Sequence, residues 1–116
     1  MQKLMSTEDA ELMAKTYRFL SQRGVPVTVS EHGSQLELWL TVASYSAHAK
    51  ALLQELKHHP ELLDQVDLNI DTKINIVKEL NEQGIFNIKG SVAEVAKKLN
   101  ISESSVYRYI KMVEQF

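Results

Sequence analysis

Apolar positions recur along this chain with two different periods, and the switches between them mark its elements. Met13, Tyr17 and Leu20 fall on one face of a helix. Ser6 is placed to cap that helix. Glu8, Asp9 and Glu11 lie in its first turn, where the helix dipole favours carboxylates, and Gly24 and Pro26 end it. Period two then takes over. Val25, Val27 and Val29 alternate with Pro26 and Thr28. After Glu31-His32-Gly33-Ser34, Leu36, Leu38, Leu40 and Val42 alternate with Glu37, Trp39 and Thr41. The alternation predicts a β-hairpin with one buried face. Two strands alone are marginal, so the hairpin must pack on a helix or pair with another copy. Trp39, on the outward face, keeps the second option open.

Helical spacing returns from about Ser44 to His58, through Tyr45, His48, Ala49, Leu52, Leu53 and Leu56. Pro60 cannot continue this helix but suits the first turn of a short one ending at Val66. Asp67 to Asp71 is a polar connection and the best candidate for a boundary. It divides an αββα unit, residues 1–66, from a C-terminal helical unit, residues 67–116. The latter opens with a helix from about Thr72 to Gln83, striped by Ile74, Val77 and Leu80, with Gly84 just past its end. The expected fold is mainly α (α+β): an N-terminal helix-hairpin-helix unit, then a three-helix helix-turn-helix domain.

The strongest signal runs from Ser91 to Lys111. Ser91-Val92-Ala93-Glu94 has the form of a capping box. The helix it opens turns Val92, Val95, Ala96 and Leu99 inward. Asn100-Ile101-Ser102 forms a short turn, and Ser102 can cap a second helix with Val106, Tyr109 and Ile110 inward. In a helix-turn-helix the helices cross closely, so a small residue is needed at the crossing, and Ala96 supplies it. The turn needs a residue that tolerates positive φ, and Asn100 stands there. Ile101 plugs the core behind it, and Val106 packs against the small residue.

The outward face of the second helix carries Glu103, Ser104, Ser105, Tyr107, Arg108 and Lys111, hydrogen-bonding side chains on the helix that would enter a major groove. Arg108 is suited to guanine or to phosphate, and Ser104, Ser105 and Tyr107 to phosphates or base edges. Lys97, Lys98 and Lys111 would flank them as phosphate contacts. Glu103 repels phosphate unless it accepts from a cytosine amino group.

Charge sharpens this picture. The net charge is −2, so the chain as a whole is no polycation. Residues 1–66 hold 6 basic and 8 acidic side chains. Between 85 and 113, Lys89, Lys97, Lys98, Arg108 and Lys111 face only Glu94 and Glu103. The basic excess therefore sits where the motif sits. Apolar residues at 44% and charged residues at 24% are globular usage rather than that of a disordered tail. The absence of cysteine excludes disulfides, thiolate zinc and a cysteine nucleophile. No apolar run nears the roughly 20 residues of a membrane span, and no signal core follows Met1, so a cytoplasmic protein is expected.

Residues 75–111 carry a resemblance. It is clearest in Ile76-Val77-Lys78-Glu79-Leu80-Asn81-Glu82-Gln83-Gly84-Ile85-Phe86, then Lys89 to Leu99, then Ser102 and Val106-Tyr107-Arg108-Tyr109. This stretch resembles the C-terminal helix-turn-helix of the DauR-like (YheO-type) bacterial transcriptional regulators. The resemblance covers about a third of the chain and implies a DNA-binding regulator whose second motif helix is the reader. Members of that family carry an N-terminal PAS-like sensor, for which residues 1–66 are too short, so the sensing role does not carry over.

Other chemistry is sparse. His58-His59 is the one metal-like pair, but adjacent helical residues point about 100° apart. A helix C-terminus before Pro60 explains both better. His32 falls in the hairpin turn, and His48 on a packed face. No nucleophile elbow, phosphate-cradling glycine loop or catalytic carboxylate pair is present, so neither an enzyme nor a cofactor is expected. The expected partners are duplex DNA and a second copy of the chain, with an unassigned small-molecule or protein effector for residues 1–66. The alternative is an interaction module whose helix pair docks on a larger protein.

Overall fold

The computed structural model describes residues 1–67 and 70–114. Strand β1 (Gln2–Thr7) leads into helix α1 (Ala10–Gln22), then strands β2 (Val27–His32) and β3 (Gln35–Leu40). Helix α2 (Ser46–His58) follows a 3-10 turn at Ala43–Tyr45, and a second 3-10 segment spans Pro60–Gln65. Helices α3 (Ile70–Glu82), α4 (Ser91–Leu99) and α5 (Glu103–Glu114) complete the chain. The fold is mainly α with one small sheet. The connection expected at 67–71 includes Leu68 and Asn69, which lie outside the described residues.

The N-terminal unit gains a strand. Residues 2–7, expected to lead into a helix, pair antiparallel with β3, which becomes the central strand in the order β1-β3-β2. The register shifts between Lys3 and Met5. At this bulge the consecutive Leu4 and Met5 both pack against the core, which erases the alternation that would have betrayed the strand. The cap of α1 moves accordingly: Asp9, not Ser6, accepts from the Leu12 N–H at 3.1 Å. The hairpin loop is tighter than the sequence suggested. Glu31 and His32 belong to β2, only Gly33-Ser34 turn the chain, and Gly33 takes φ +60°. Positive φ at the first loop position suits the right-handed strand twist, and glycine adopts it without strain.

Alternation along β3 decides what the sheet covers. Leu36, Leu38 and Leu40, with Val29 of β2, face inward and are buried. They join Met13, Phe19 and Leu20 of α1, Ile76, Val77 and Leu80 of α3, and Val95, Leu99 and Tyr109 beyond. One apolar core thus runs through residues on both sides of position 66. Two residues depart from the packed faces expected of them. Tyr45 is 40% exposed and His48 lies at the surface, its Nε2 3.4 Å from the Arg23 carbonyl. The 3-10 turn at Ala43–Tyr45 rotates the start of α2, so Ala49, Leu52 and Leu56 alone make its buried stripe. Val42, expected on the strand, lies beyond it and is 43% exposed.

Strand β2 is an edge, and α3 covers it with side chains. Glu79 Oε2 accepts from the Val29 N–H at 2.9 Å and from the Thr28 hydroxyl at 3.3 Å. Glu79 Oε1 accepts from the Tyr17 hydroxyl at 2.9 Å. Gln83 Nε2 donates to the Val29 carbonyl at 2.7 Å. One residue of the edge is thus paired as if by another strand, which satisfies buried backbone and blocks edge-to-edge pairing.

Burial pushes the Glu79 carboxyl above its ordinary 4.5, outweighing the three donors that hold it down. Burial and the Glu79 charge together raise the Tyr17 hydroxyl. Glu79 therefore binds its proton more tightly in the folded chain. Its titration favours folding fully below pH 4.5, and that contribution is lost as pH rises through the folded-state value. Relative to Glu79→Gln, the wild type should lose stability as pH rises across this window, in urea titrations at stepped pH. Glu79→Ala, which strands the Val29 N–H, should cost about 2 kcal/mol.

Candidate nucleic-acid interface

Helices α4 and α5 are joined by the turn the sequence demanded. Asn100 adopts φ 53° and ψ 48°, and is the one non-glycine residue with positive φ among the described residues. Its N–H bonds back to the Lys97 carbonyl at 3.2 Å, and the Ile101 N–H to Ala96 at 3.0 Å. These bonds close the end of α4 on itself. Ala96, Val106 and Tyr109 are buried at the crossing, together with Val95 and Leu99. Ile101 and Ile110 pack against them from a half-buried position.

The N-terminus of α4 is built differently from expectation. No capping box forms. Gly90, at φ +83°, takes the N-cap position without a side-chain bond. Ser91 becomes the first helical residue, is buried, and its hydroxyl finds no partner among the described residues. A left-handed glycine enters the helix one residue early, which carries the serine past the place from which it could cap. The cap of α5 forms as expected, with Ser102 Oγ accepting the Ser105 N–H at 3.1 Å.

The outward face of α5 is open. Glu103, Ser104, Tyr107, Arg108 and Lys111 are exposed and Ser105 is half-buried. Ser102, Ser105 and Arg108 form a chain along one side of the helix. The two hydroxyls lie 2.9 Å apart, and Arg108 Nη2 donates to Ser105 Oγ at 3.4 Å. The Arg108 guanidinium also sits 5.5 Å from the Tyr109 ring. These contacts steer the fork and leave most of its five donors outward.

The lysines of α4 part company. Lys97 is exposed. Lys98 turns back to the hairpin, with 8% of its side chain exposed. Its ammonium lies 3.2 Å from Glu31 Oε1 and 3.8 Å from Glu94, and donates to the Gly33 carbonyl at 3.1 Å. The sequence placed Lys98 beside Lys97 as a second phosphate contact. The structure makes it a clamp between α4 and the hairpin tip. The partner Glu31 is distant in sequence, so spacing gave no signal of the pair. Among the described residues no cluster of histidine and carboxylate side chains is arranged to hold a metal ion. His59 Nδ1 lies 3.3 Å from Glu61, both exposed.

Residues 49–111 match the HTH domain family. Residues 1–67 match the family described as the cytoplasmic N-terminal domain of rhomboid serine protease. The chain belongs to both families. The HTH match begins within α2, takes in α3 and α4, and ends within α5. The rhomboid-type match, which no residue pattern had suggested, takes in the sheet, α1 and α2. Among curated proteins, an uncharacterized protein of Haemophilus influenzae is 40% identical over 52 residues, 45% of this chain and 24% of that protein. The uncharacterized protein YheO of Escherichia coli is 53% identical over 36 residues, 31% of this chain and 15% of that protein. YheO of Shigella flexneri matches to the same extent. The chain spans about a quarter or less of the length of these relatives. No solved structure matches it. The C-terminal HTH domain is therefore YheO-like, as its residues suggested.

Two substitutions test this architecture. Lys98→Met should destabilise the fold by about 2 kcal/mol, because it leaves Glu31 without its counter-charge. Adding Glu31→Leu should recover most of that loss. Asn100→Gly should be tolerated, whereas Asn100→Val should cost about 1–2 kcal/mol for a β-branched residue in the left-handed region. Thermal or urea unfolding reads both series.

Proposed function

We propose that this protein is a sequence-specific, duplex-DNA-binding transcriptional regulator of a bacterial cytoplasm, acting through its helix-turn-helix as a homodimer. The observation that carries the reading is the face of α5. An HTH scaffold presents Ser104, Tyr107, Arg108 and Lys111 to solvent, with Arg108 steered by Ser105. Arg108 is the reader of base edges, with Ser104, Ser105 and Tyr107 beside it. Lys97 and Lys111 hold phosphates. Ser102 fixes the start of the reading helix, and Glu103 disfavours phosphate at that end. Lys98 contributes indirectly, by holding the hairpin against α4. The membership supports this reading, and no described helix is long and apolar enough to cross a membrane.

Residues 1–66 are the assembly unit in this proposal and residues 67–116 the reading unit, the two sharing one core. A single helix-turn-helix reads few base pairs, and pairing doubles the site. Leu36, Leu38 and Leu40 are buried within the chain and so do not form the contact between copies. α3 covers the β2 edge, so pairing by sheet extension would have to use the β1 edge. The surface left for pairing includes the exposed Val42 and Tyr45.

One observation favours the second reading, a protein-docking module: Tyr107 and Met112, on α5, are 56% and 40% exposed. Salt separates the two. Selection of genomic duplex fragments by the purified protein, at low and moderate salt, should enrich an inverted repeat, with affinity falling steeply as salt rises. Arg108→Ala should weaken that site by about 1–3 kcal/mol and relax one position of it, while Lys97→Ala should lower the salt slope by about one. Enrichment of an unrepeated half-site would sink the dimer. Retention of no DNA at either salt would sink the regulator and leave the docking module.

A further inference from the structure

Strand β1 is an edge of the sheet with an open far side. In an antiparallel ladder, backbone N–H and C=O groups turn alternately toward the partner strand and away from it. Those of β1 that turn away from β3 meet no backbone partner among the described residues. The opposite edge is covered by Glu79 and Gln83, so β1 is where this sheet can still accept a strand.

The order of faces along β1 selects that strand. Lys3 and Ser6 lie on the outward face, opposite Trp39 and Glu37 of β3, and both are exposed. Gln2 and Thr7 lie opposite the buried Leu40 and Leu36. Leu4 and Met5, at the bulge, both pack against the core. From Gln2 to Thr7 the faces therefore run inward, outward, inward, inward, outward, inward, the same from either end. Strict alternation over an even number of residues cannot do this, and the bulge is what makes it possible. Two copies paired antiparallel about a two-fold axis set each residue against its mirror position, and directly opposite residues share a face. Pairing Leu4 with Met5, Lys3 with Ser6 and Gln2 with Thr7 meets that demand at every position. A shift of one residue either way sets Lys3 and Ser6 against inward residues.

Charge agrees with this register. Lys3 meets a hydroxyl rather than a second lysine, and lies diagonally from the exposed Glu8 of the other copy. Ser46 Oγ donates to Gln2 Oε1 at 2.9 Å, which sets the 3-10 turn carrying the exposed Tyr45 beside the same edge.

We propose that two copies of the chain join through their β1 edges in this register, making their two three-stranded sheets continuous across the two-fold axis. The inference rests on the homodimer reading and names its interface.

The chain has no cysteine, so an introduced one is unique. Lys3→Cys and Ser6→Cys chains are mixed at equal concentration in a glutathione redox buffer, and the products are weighed by intact-mass spectrometry. Directly opposite positions lie within disulfide reach, so the mixed disulfide should exceed either same-variant disulfide by about ten-fold. Ser6→Lys should weaken the dimer by about five-fold in sedimentation equilibrium, and adding Lys3→Glu should restore it by setting opposite charges across the axis. Circular dichroism checks that each variant folds. A wild-type chain that sediments as a monomer throughout overturns this inference together with the homodimer reading. A wild-type dimer in which mixed and same-variant disulfides form equally, or which Ser6→Lys leaves intact, overturns the β1 interface alone. Should the variants fail to fold, amide exchange of the wild type decides. Exchange along β1 should slow as concentration rises through the dissociation constant, and no change there in a chain that dimerises overturns the proposal.

Discussion

A carboxylate and an amide on α3 stand where a fourth strand would stand. Glu79 receives the Val29 N–H and Gln83 gives to the Val29 carbonyl. Much else depends on this substitution of side chains for backbone. It orients α3 across the sheet, and α3 in turn packs on α5. It covers the β2 edge of the sheet against further strand pairing. It also costs something, because a carboxylate held away from water binds its proton more tightly than one in solvent. The structure accepts that cost because a bare N–H and carbonyl at a buried strand edge would be worse.

The same contact sets the relation between the two families that meet in this chain. Their matched segments overlap across residues 49–67, and the structure shows why a sharp division would be artificial. Leucines of β3 and residues of α1 lie in one core with Val95, Leu99 and Tyr109. Lys98 adds a polar tie at the far end, reaching from α4 to the hairpin tip. Helix α5 is thus supported from behind by the sheet unit, through a shared apolar interior and two polar contacts that are remote in sequence.

What the sequence disclosed follows from the range of the interactions involved. The turn at Asn100, the cap at Ser102 and the buried face of Val95, Ala96, Leu99 and Val106 are local demands, visible at fixed spacing. The inward leucines of β3 were visible for the same reason. Strand β1 was not, because a bulge broke its alternation and its partner lies some thirty residues away in sequence. The capping box at Ser91 misled because a preceding glycine in the left-handed region competes for the same position. Lys98 and Glu79 were each read by composition, as a surface cation and as part of a family pattern. Their roles come from partners that only folding brings near.

The shared core bears on how such a protein would measure distance along DNA. A reading domain on a flexible tether tolerates changes in the gap between half-sites, since the tether absorbs them. Here helices α4 and α5 share buried contacts with the sheet unit. In a two-fold pair of such bodies, the angle between the two α5 helices is set by the interface alone. Adding one base pair between half-sites rotates one of them by about 35° about the duplex axis. A rigid pair would have to bend or twist the DNA to recover that angle. If the proposed homodimer forms, it would act as a gauge of spacing as much as a reader of bases, and sites with the right bases at the wrong separation would be passed over.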